Sequence, residues 1–287
     1  MTADRTSQQI KLGDGRAMGY AEYGDREGKP IFYFHGFPSS RIDWPLFDTG
    51  AIAARLNARI IAADRPGYGL SDFKRGRKLL DWPDDVIELA NALQIERFAV
   101  LGISGGGPYA LACAYKIPER LTTAVVACGM GPFEAPGAKE GTAMLLPGKF
   151  PMTRDLFLML MAKGFKGNPD RFLSRMKDTV GEPDKLLLSQ PEIAQAFTCG
   201  MREAFRSGIR GASWDAVLYK RPWQYRVQDI SMRIHLWHGA LDTQVPESVG
   251  QYIASALPDC HANFLPDEAH ISLAHNHIEE LLSILVS

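Results

Sequence analysis

Residues 101–111, "LGISGGGPYAL", place Gly102 two residues before Ser104 and Gly106 two residues after it. The apolar run "RFAVLGI" that leads in reads as a short buried strand, and "PYALACAY" beyond the glycines reads as a buried helix. Strand, G-x-S-x-G and helix in that order form the context in which a serine is held at a sharp, strained turn. Side chains at the flanking positions would collide with neighbouring backbone, and glycines at 102 and 106 remove the collision. The N–H of Gly105, at the start of the new helix, then points where an oxyanion would form. A plain glycine-rich turn is the competing reading of these residues alone.

Working outward, "QQIKLGDGRAMGYAEYG" alternates and carries turn glycines, which predicts an antiparallel hairpin. Short, continuously apolar runs follow: "PIFYFHG", "ARIIAADR", "RFAVLGI", "TTAVVACG", "RIHLWHG" and "HANFLP". Unbroken apolar runs are expected of strands covered on both faces. Val86, Leu89, Ala90 and Leu93 repeat at helical spacing after Pro83, Asp84 and Asp85, a favourable helix start. Val249, Tyr252, Ile253 and Ala256 do the same after Pro246, and Ile271, Ala274, Ile278, Leu281 and Leu285 form a terminal stripe. This alternation predicts an α/β fold: a mostly parallel sheet flanked by helices.

One interval breaks the rhythm. From Glu134 to Gln228 the pattern is helical throughout, interrupted by "GNPD", "GEPD", "SQPE" and "SGIRGAS". The division expected is a core of residues 1–133 and 229–287 with a helical insertion at 134–228. Six of the ten methionines fall in the insertion, as core filling or as an adaptable pocket wall. It also holds 15 Lys and Arg against 10 Asp and Glu. That surplus is read as a solvated surface or as a pull on an anionic substrate. Trp214, Tyr219, Trp223 and Tyr225 are candidates for an apolar substrate pocket, with Trp214 the residue singled out.

Composition narrows the partners. Across 287 residues, 32 Lys and Arg nearly balance 33 Asp and Glu, which leaves no electrostatic footprint for nucleic acid. The opening "MTADRTSQQ" lacks the apolar centre of a secretory signal. No apolar run approaches the roughly 20 residues a bilayer requires; "LFLMLMA" at 156–162 is bounded by Asp155 and Lys163. Cys113, Cys128, Cys199 and Cys260 are scattered without a C-x-x-C pair, as small buried residues of a cytoplasmic protein would be. H-E-x-x-H and G-x-x-x-x-G-K-[ST] are both missing, and "GISGGGPYA" lacks dinucleotide-fingerprint spacing. The expectation is no cofactor, no metal, no membrane and no nucleic acid, with the oligomeric state left open.

A serine hydroxyl needs a base to become a nucleophile, and the base needs an acid to orient it. His275 and His277 fall in the terminal helical stripe and are expected at the surface. His235 and His261 sit in strand runs, while His35 and His238 each precede a glycine at a strand end. His270, in the loop "PDEAHIS" before the last helix, is the favoured base, with His238 in reserve. Asp242 in "HGALDTQVP" lies three residues past a strand, on the sheet edge where α/β active sites gather. Glu134, after the sixth strand, is the alternative acid.

The pieces "HGFPSSR" (35–41), "ADRPGYGLSD" (63–72), "LGISGGGPYAL" (101–111), "LWHGALDTQVP" (236–246) and "DEAHIS" (267–272) together resemble an α/β-hydrolase fold serine hydrolase bearing a cap domain. The order Ser104, Asp242, His270 is the chain order of that architecture. The resemblance implies a Ser-His-Asp triad and a second oxyanion donor at the N–H of Phe37 beside that of Gly105. It also implies a small-molecule acyl substrate and a cap at 134–228. Carboxylesterases, lactonases and thioesterases share this arrangement, as do C–C bond hydrolases, cofactor-free haloperoxidases (perhydrolases) and proline iminopeptidases. Relatives with an aspartate at the elbow, the haloalkane dehalogenases and epoxide hydrolases, are disfavoured by Ser104. A fold-sharing protein without turnover would be expected to lack a triad member, and none is missing here.

Overall fold

The hairpin expected near the N-terminus forms the first two strands of an eight-stranded sheet. The structure, a computed structural model, describes residues 5–48, 51–139 and 151–287. The strands are β1 (Gln8–Lys11), β2 (Ala17–Gly24), β3 (Lys29–Phe34), β4 (Ala58–Ala63), β5 (Phe98–Ile103), β6 (Leu121–Ala127), β7 (Ile234–Gly239) and β8 (Cys260–Leu265). They lie in the order β1-β2-β4-β3-β5-β6-β7-β8. Only the β1–β2 and β2–β4 pairs are antiparallel; every pair from β4 onward is parallel.

Between strands run α1 (Ile52–Arg55), α2 (Trp82–Ala92), α3 (Gly107–Lys116), and α9 (Glu247–Ala256). Helices α10 (His270–Asn276) and α11 (Ile278–Leu285) end the chain. Successive strand residues point to opposite faces. Phe32, Phe34, Phe98 and Val100 therefore pack with α2, α3 and α9 in one core. Ile31, Tyr33, Leu101 and Ile103 pack with α1, α10 and α11 in the other. The unbroken apolar runs of β3 and β5 are thus explained: both their faces are covered. β8 is the sheet edge and is only half-buried.

Between β6 and β7 the described residues hold helices and no strand: α4 (Pro151–Gly167), α5 (Pro169–Lys177), α6 (Glu182–Leu187), α7 (Pro191–Ala204) and α8 (Arg210–Tyr219). The prolines of "GNPD", "GEPD" and "SQPE" mark starts rather than mere breaks. Each sits in the first two positions of a helix, where its missing N–H costs nothing. Residues 140–150 of the expected insertion lie outside the described residues. Helix α7 packs on the turn at Trp44–Leu46. There Ser40 Oγ donates to the Gly200 carbonyl at 3.0 Å, and Arg41 bridges Asp64 and Glu203.

The terminal stripe differs from expectation. It is broken at His277 into two short helices, and His270 is the first residue of α10 rather than a loop residue. His275 and His277 are half-buried, not free at the surface. His275 Nδ1 meets the Leu46 carbonyl at 2.7 Å, and His277 lies beside Glu268 and Glu280. Of the cysteines, Cys113 and Cys128 are buried as expected, but Cys199 is exposed and Cys260 half-buried; all four are free thiols.

No helix among the described residues is long and apolar enough to cross a membrane.

Candidate active site

Ser104 follows β5 directly, opens a 3-10 turn to Gly106 that runs into α3, and has φ of +55°. A left-handed conformation costs a residue with a Cβ about 1–2 kcal/mol, so the surroundings must enforce it. They do so by closeness. A Cβ on Gly106 would stand 2.0 Å from the Phe34 carbonyl oxygen, and one on Gly102 would stand 2.6 Å from that of Gly106. No side chain fits at either position.

Two peptide groups beside Ser104 are pinned from behind. The Ser104 carbonyl accepts from the N–H of Gly107 and, at 3.0 Å, from that of Met130. The Gly36 carbonyl accepts from the Arg65 guanidinium at 2.9 Å. In a trans peptide the N–H points opposite the carbonyl. The N–H of Gly105 therefore points away from Met130, and that of Phe37 away from Arg65. The two residues touch: a Cβ on Gly105 would lie 3.0 Å from Phe37 N.

Asp242 and His270 meet across two loops. His270 Nδ1 lies 2.7 Å from Asp242 Oδ2, while Asp242 Oδ1 accepts the N–H groups of Gln244 and Val245, each at 2.8 Å. Both residues are buried. Burial pushes the Asp242 carboxyl up, but the charge and hydrogen bond of His270 outweigh it and hold the acid below its ordinary value. Burial pushes His270 down, yet the Asp242 carboxylate and then Asp184 more than offset this, and its value is raised. An imidazolium here is stabilised twice over.

The reserves do not reach this arrangement. Glu134 is exposed, and Asp242 already occupies Nδ1 of His270. His238 is wholly buried; its Nε2 meets the Val245 carbonyl at 2.9 Å and stands 3.6 Å from Asp242. Burial holds its value down, so it stays neutral. Cys128, His238 and Asp242 bring ligand-type atoms within 4.8 Å of one another. Asp242 and His238 are already engaged, and burial pushes the Cys128 thiol up, so this set is a poor fit for a cation.

Sequence reasoning missed a buried ionic cluster beneath the site. Asp215 of α8 pairs with Arg65 at 2.9 Å and with Arg77, and accepts from Tyr68 and Tyr109. Tyr219 completes it, its hydroxyl donating to the Gly105 carbonyl at 2.8 Å and standing 3.3 Å from Asp215. Arg65 donates onward to the carbonyls of His35 and Gly36. The cluster thus ties insertion helix α8 to the backbone beside Ser104. Burial raises the Asp215 carboxyl, but Arg77 and Arg65 hold it well below the usual carboxylate range.

Asp215→Ala leaves two buried guanidinium groups without a counter-charge and is expected to lower stability by about 3–5 kcal/mol. Because the folded value is depressed, the wild-type contribution is full above the unfolded carboxylate value near 4 and fades as pH falls below it. Urea unfolding at pH 7 and at pH 3 measures this. A variant penalty equal at both pH values would show that the charge contributes nothing.

Ser104 and His270 line one cavity of about 360 Å³, with Gly36, Phe37 and Ile103 on the core side. From the insertion come Phe157, Met161, Phe172, Met176, Phe197 and Met201. Of the two readings of the Met-rich interval, the pocket wall holds for these three methionines. Trp214 is not in that wall. Its Nε1 donates to the Arg77 carbonyl at 2.9 Å and its ring stands edge-on to Phe73, so it braces α8 against the core. Tyr219 and Tyr225 also point elsewhere, bonding the carbonyls of Gly105 and Pro108.

The profile of the alpha/beta hydrolase family matches residues 31–282. The chain belongs to this family. As an alpha/beta hydrolase it is 32% identical over 125 residues to the non-heme chloroperoxidase of Streptomyces lividans, a match covering 43% of this chain and 45% of that protein. The aligned stretch thus spans under half of that relative. Among solved structures, an alpha/beta hydrolase fold protein from Nakamurella multipartita superposes with a TM-score of 0.73 at 18% identity, covering 98% of both chains. The esterase RhEst1 from Rhodococcus sp. ECU1013 does so with a TM-score of 0.69 at 19% identity, covering 98% of this chain and 99% of that one. At such identities the likeness establishes the fold.

Proposed function

We propose that this alpha/beta hydrolase cleaves a carboxylic ester, or a related acyl bond such as a lactone or thioester, through a covalent acyl-enzyme. The observation that carries the reading is Ser104 at φ +55°, sharing a cavity with His270, whose Nδ1 sits 2.7 Å from a buried Asp242. In this reading Ser104 Oγ attacks the acyl carbonyl carbon while His270 Nε2 takes its proton. The developing oxyanion is held by the N–H groups of Phe37 and Gly105. His270 then protonates the leaving group, an alkoxide oxygen or, for a thioester, a thiolate sulfur, and water, activated by the same imidazole, releases the acid. Residues 134–228 act as a cap over the core of 1–133 and 229–287.

A fluorophosphonate probe tests this directly. Covalent labelling at Ser104, lost in Ser104→Ala, together with turnover of short 4-nitrophenyl esters, supports it. An unlabelled, folded protein would sink it. The name of the chloroperoxidase relative points to peroxide chemistry as a second outcome. Peroxide-dependent chlorination without ester turnover would favour that reading.

Selectivity is expected to reside in the cavity wall. Met176→Ala and Met201→Ala lengthen the apolar cavity, and each acyl methylene accommodated is worth about 1–3 kcal/mol. The ratio of kcat/KM for octanoyl over acetyl ester should rise by roughly tenfold. Trp214→Ala should instead lower the melting temperature and leave that ratio unchanged. A ratio moved by Trp214→Ala and untouched by both methionine changes would place selectivity elsewhere.

A further inference from the structure

We propose that Asp184, carried by insertion helix α6, is a positioning residue for His270: it caps the helix that begins at His270 and presents a second carboxylate to the imidazole. The inference rests on the role given to His270 above.

An acidic residue in a helix's first turn ordinarily faces solvent and its own helix's N–H groups. Asp184 does neither. It is 1% exposed and reaches another helix. Its Oδ2 accepts the N–H of His270 at 3.1 Å, and its Oδ1 accepts those of Ile271 and Ser272, each at 2.8 Å. These are the donors that the start of a helix leaves without intrahelical partners. The residue before α10 is Ala269, which has no side-chain oxygen to serve them; Ser272 Oγ accepts only the N–H of Ala269 itself. The cap that α10 lacks locally is supplied from 86 residues away.

The docking of this segment is close on both sides. A Cβ on Gly181 would stand 2.7 Å from the Leu241 carbonyl oxygen and 3.1 Å from Ala269 Cβ. Thr243 Oγ1 donates to the Thr179 carbonyl at 3.4 Å. Residues 179–184 therefore touch the loop that carries Asp242 and the turn that carries His270. The insertion reaches both members of that pair, although neither belongs to it.

Charge gives the role a second part. Asp242 and Asp184 act on His270 as carboxylates, His238 stands beside Asp242, Cys128 Sγ lies 3.6 Å from the Ala269 carbonyl, and Ser104, Asp43 and Arg175 line the cavity that His270 shares. Burial keeps His238 and the Cys128 thiol neutral. Asp242 and then Asp184 are the charges that raise the His270 value against its burial. Burial raises the Asp184 carboxyl, opposed by His270 and by the N–H groups it accepts. Three accepted N–H bonds suit the ionised form.

The test separates capping from charge. Isotope-labelled histidine is titrated by NMR in a Ser104→Ala background, and kcat/KM is followed against pH with Ser104 intact. Asp184→Asn is expected to lower the His270 midpoint, and the acid limb with it, by roughly half a unit to one unit. Asp184→Asn keeps one capping oxygen without charge while Asp184→Ala removes both, so the melting temperature of Asp184→Asn should lie nearer the wild type than that of Asp184→Ala, with the midpoint lowered in both. A midpoint unmoved in both folded variants overturns the proposal, as does failure of both to fold, which would make Asp184 a purely structural residue. Full ester turnover by Ser104→Ala would instead strike the serine-hydrolase reading, and the NMR midpoints would still report on Asp184.

Discussion

Ser104→Ala is expected to lower ester turnover by about 10⁴-fold or more while leaving the fold intact. Removing the hydroxyl deletes the atom that would form the acyl bond. Residual rate over water is expected from the backbone donors and the cavity alone. Because the three side chains act as a unit, adding His270→Ala to Ser104→Ala should cost little more. Steady-state kinetics on a short 4-nitrophenyl ester, with circular dichroism and thermal melting as controls, measure the effect. The strain at φ +55° supplies an internal check. Ser104→Gly should be equally inactive but more stable than Ser104→Ala by about 1 kcal/mol, since glycine accepts this conformation without cost. Near-native turnover by either variant would remove Ser104 from the mechanism.

Asp242→Asn is expected to lower kcat by about 10³–10⁴-fold. The carboxylate accepts from Nδ1 and so leaves Nε2 free to take a proton; an amide nitrogen turned toward Nδ1 would favour the opposite tautomer. The variant should also shift the pH profile. The wild-type His270 value is raised, chiefly because the Asp242 charge overcomes burial, so activity should rise with pH through a midpoint above the ordinary imidazole value of about 6.5. Loss of that charge lowers the midpoint, so the residual activity should persist to lower pH than in the wild type. A profile unmoved by Asp242→Asn would mean that the titrating group is not His270. An unchanged kcat would reopen the choice of acid, although the exposure of Glu134 argues against that candidate.

The α/β fold was legible because its signals are local and periodic. The unbroken apolar runs of β3 to β6, the helical spacing of α2 and α9, and the glycines about Ser104 each follow from what neighbouring residues must bury or avoid. Parallel strands then place the ends of β5, β7 and β8 on one edge, so Ser104, Asp242 and His270 converge by topology. Contacts between residues far apart in sequence left no such trace. "GEPD" read as a helix break because a proline signals locally, whereas the Asp184 carboxylate serves a helix 86 residues on. Trp214 looked like a pocket residue because aromatic rings line pockets, but its N–H found the Arg77 carbonyl instead. Which insertion side chains wall the cavity, and which anchor the insertion to Arg65 and Arg77, depended on how α4 to α8 pack over the sheet edge. The sequence by itself determined the strands, the turn that strains Ser104 and the segments that carry Asp242 and His270, since these follow from short-range periodicity and sterics. Only the tertiary structure decided how the insertion holds them, because burial of Asp184 and Asp215 arises from packing between segments that local pattern does not connect.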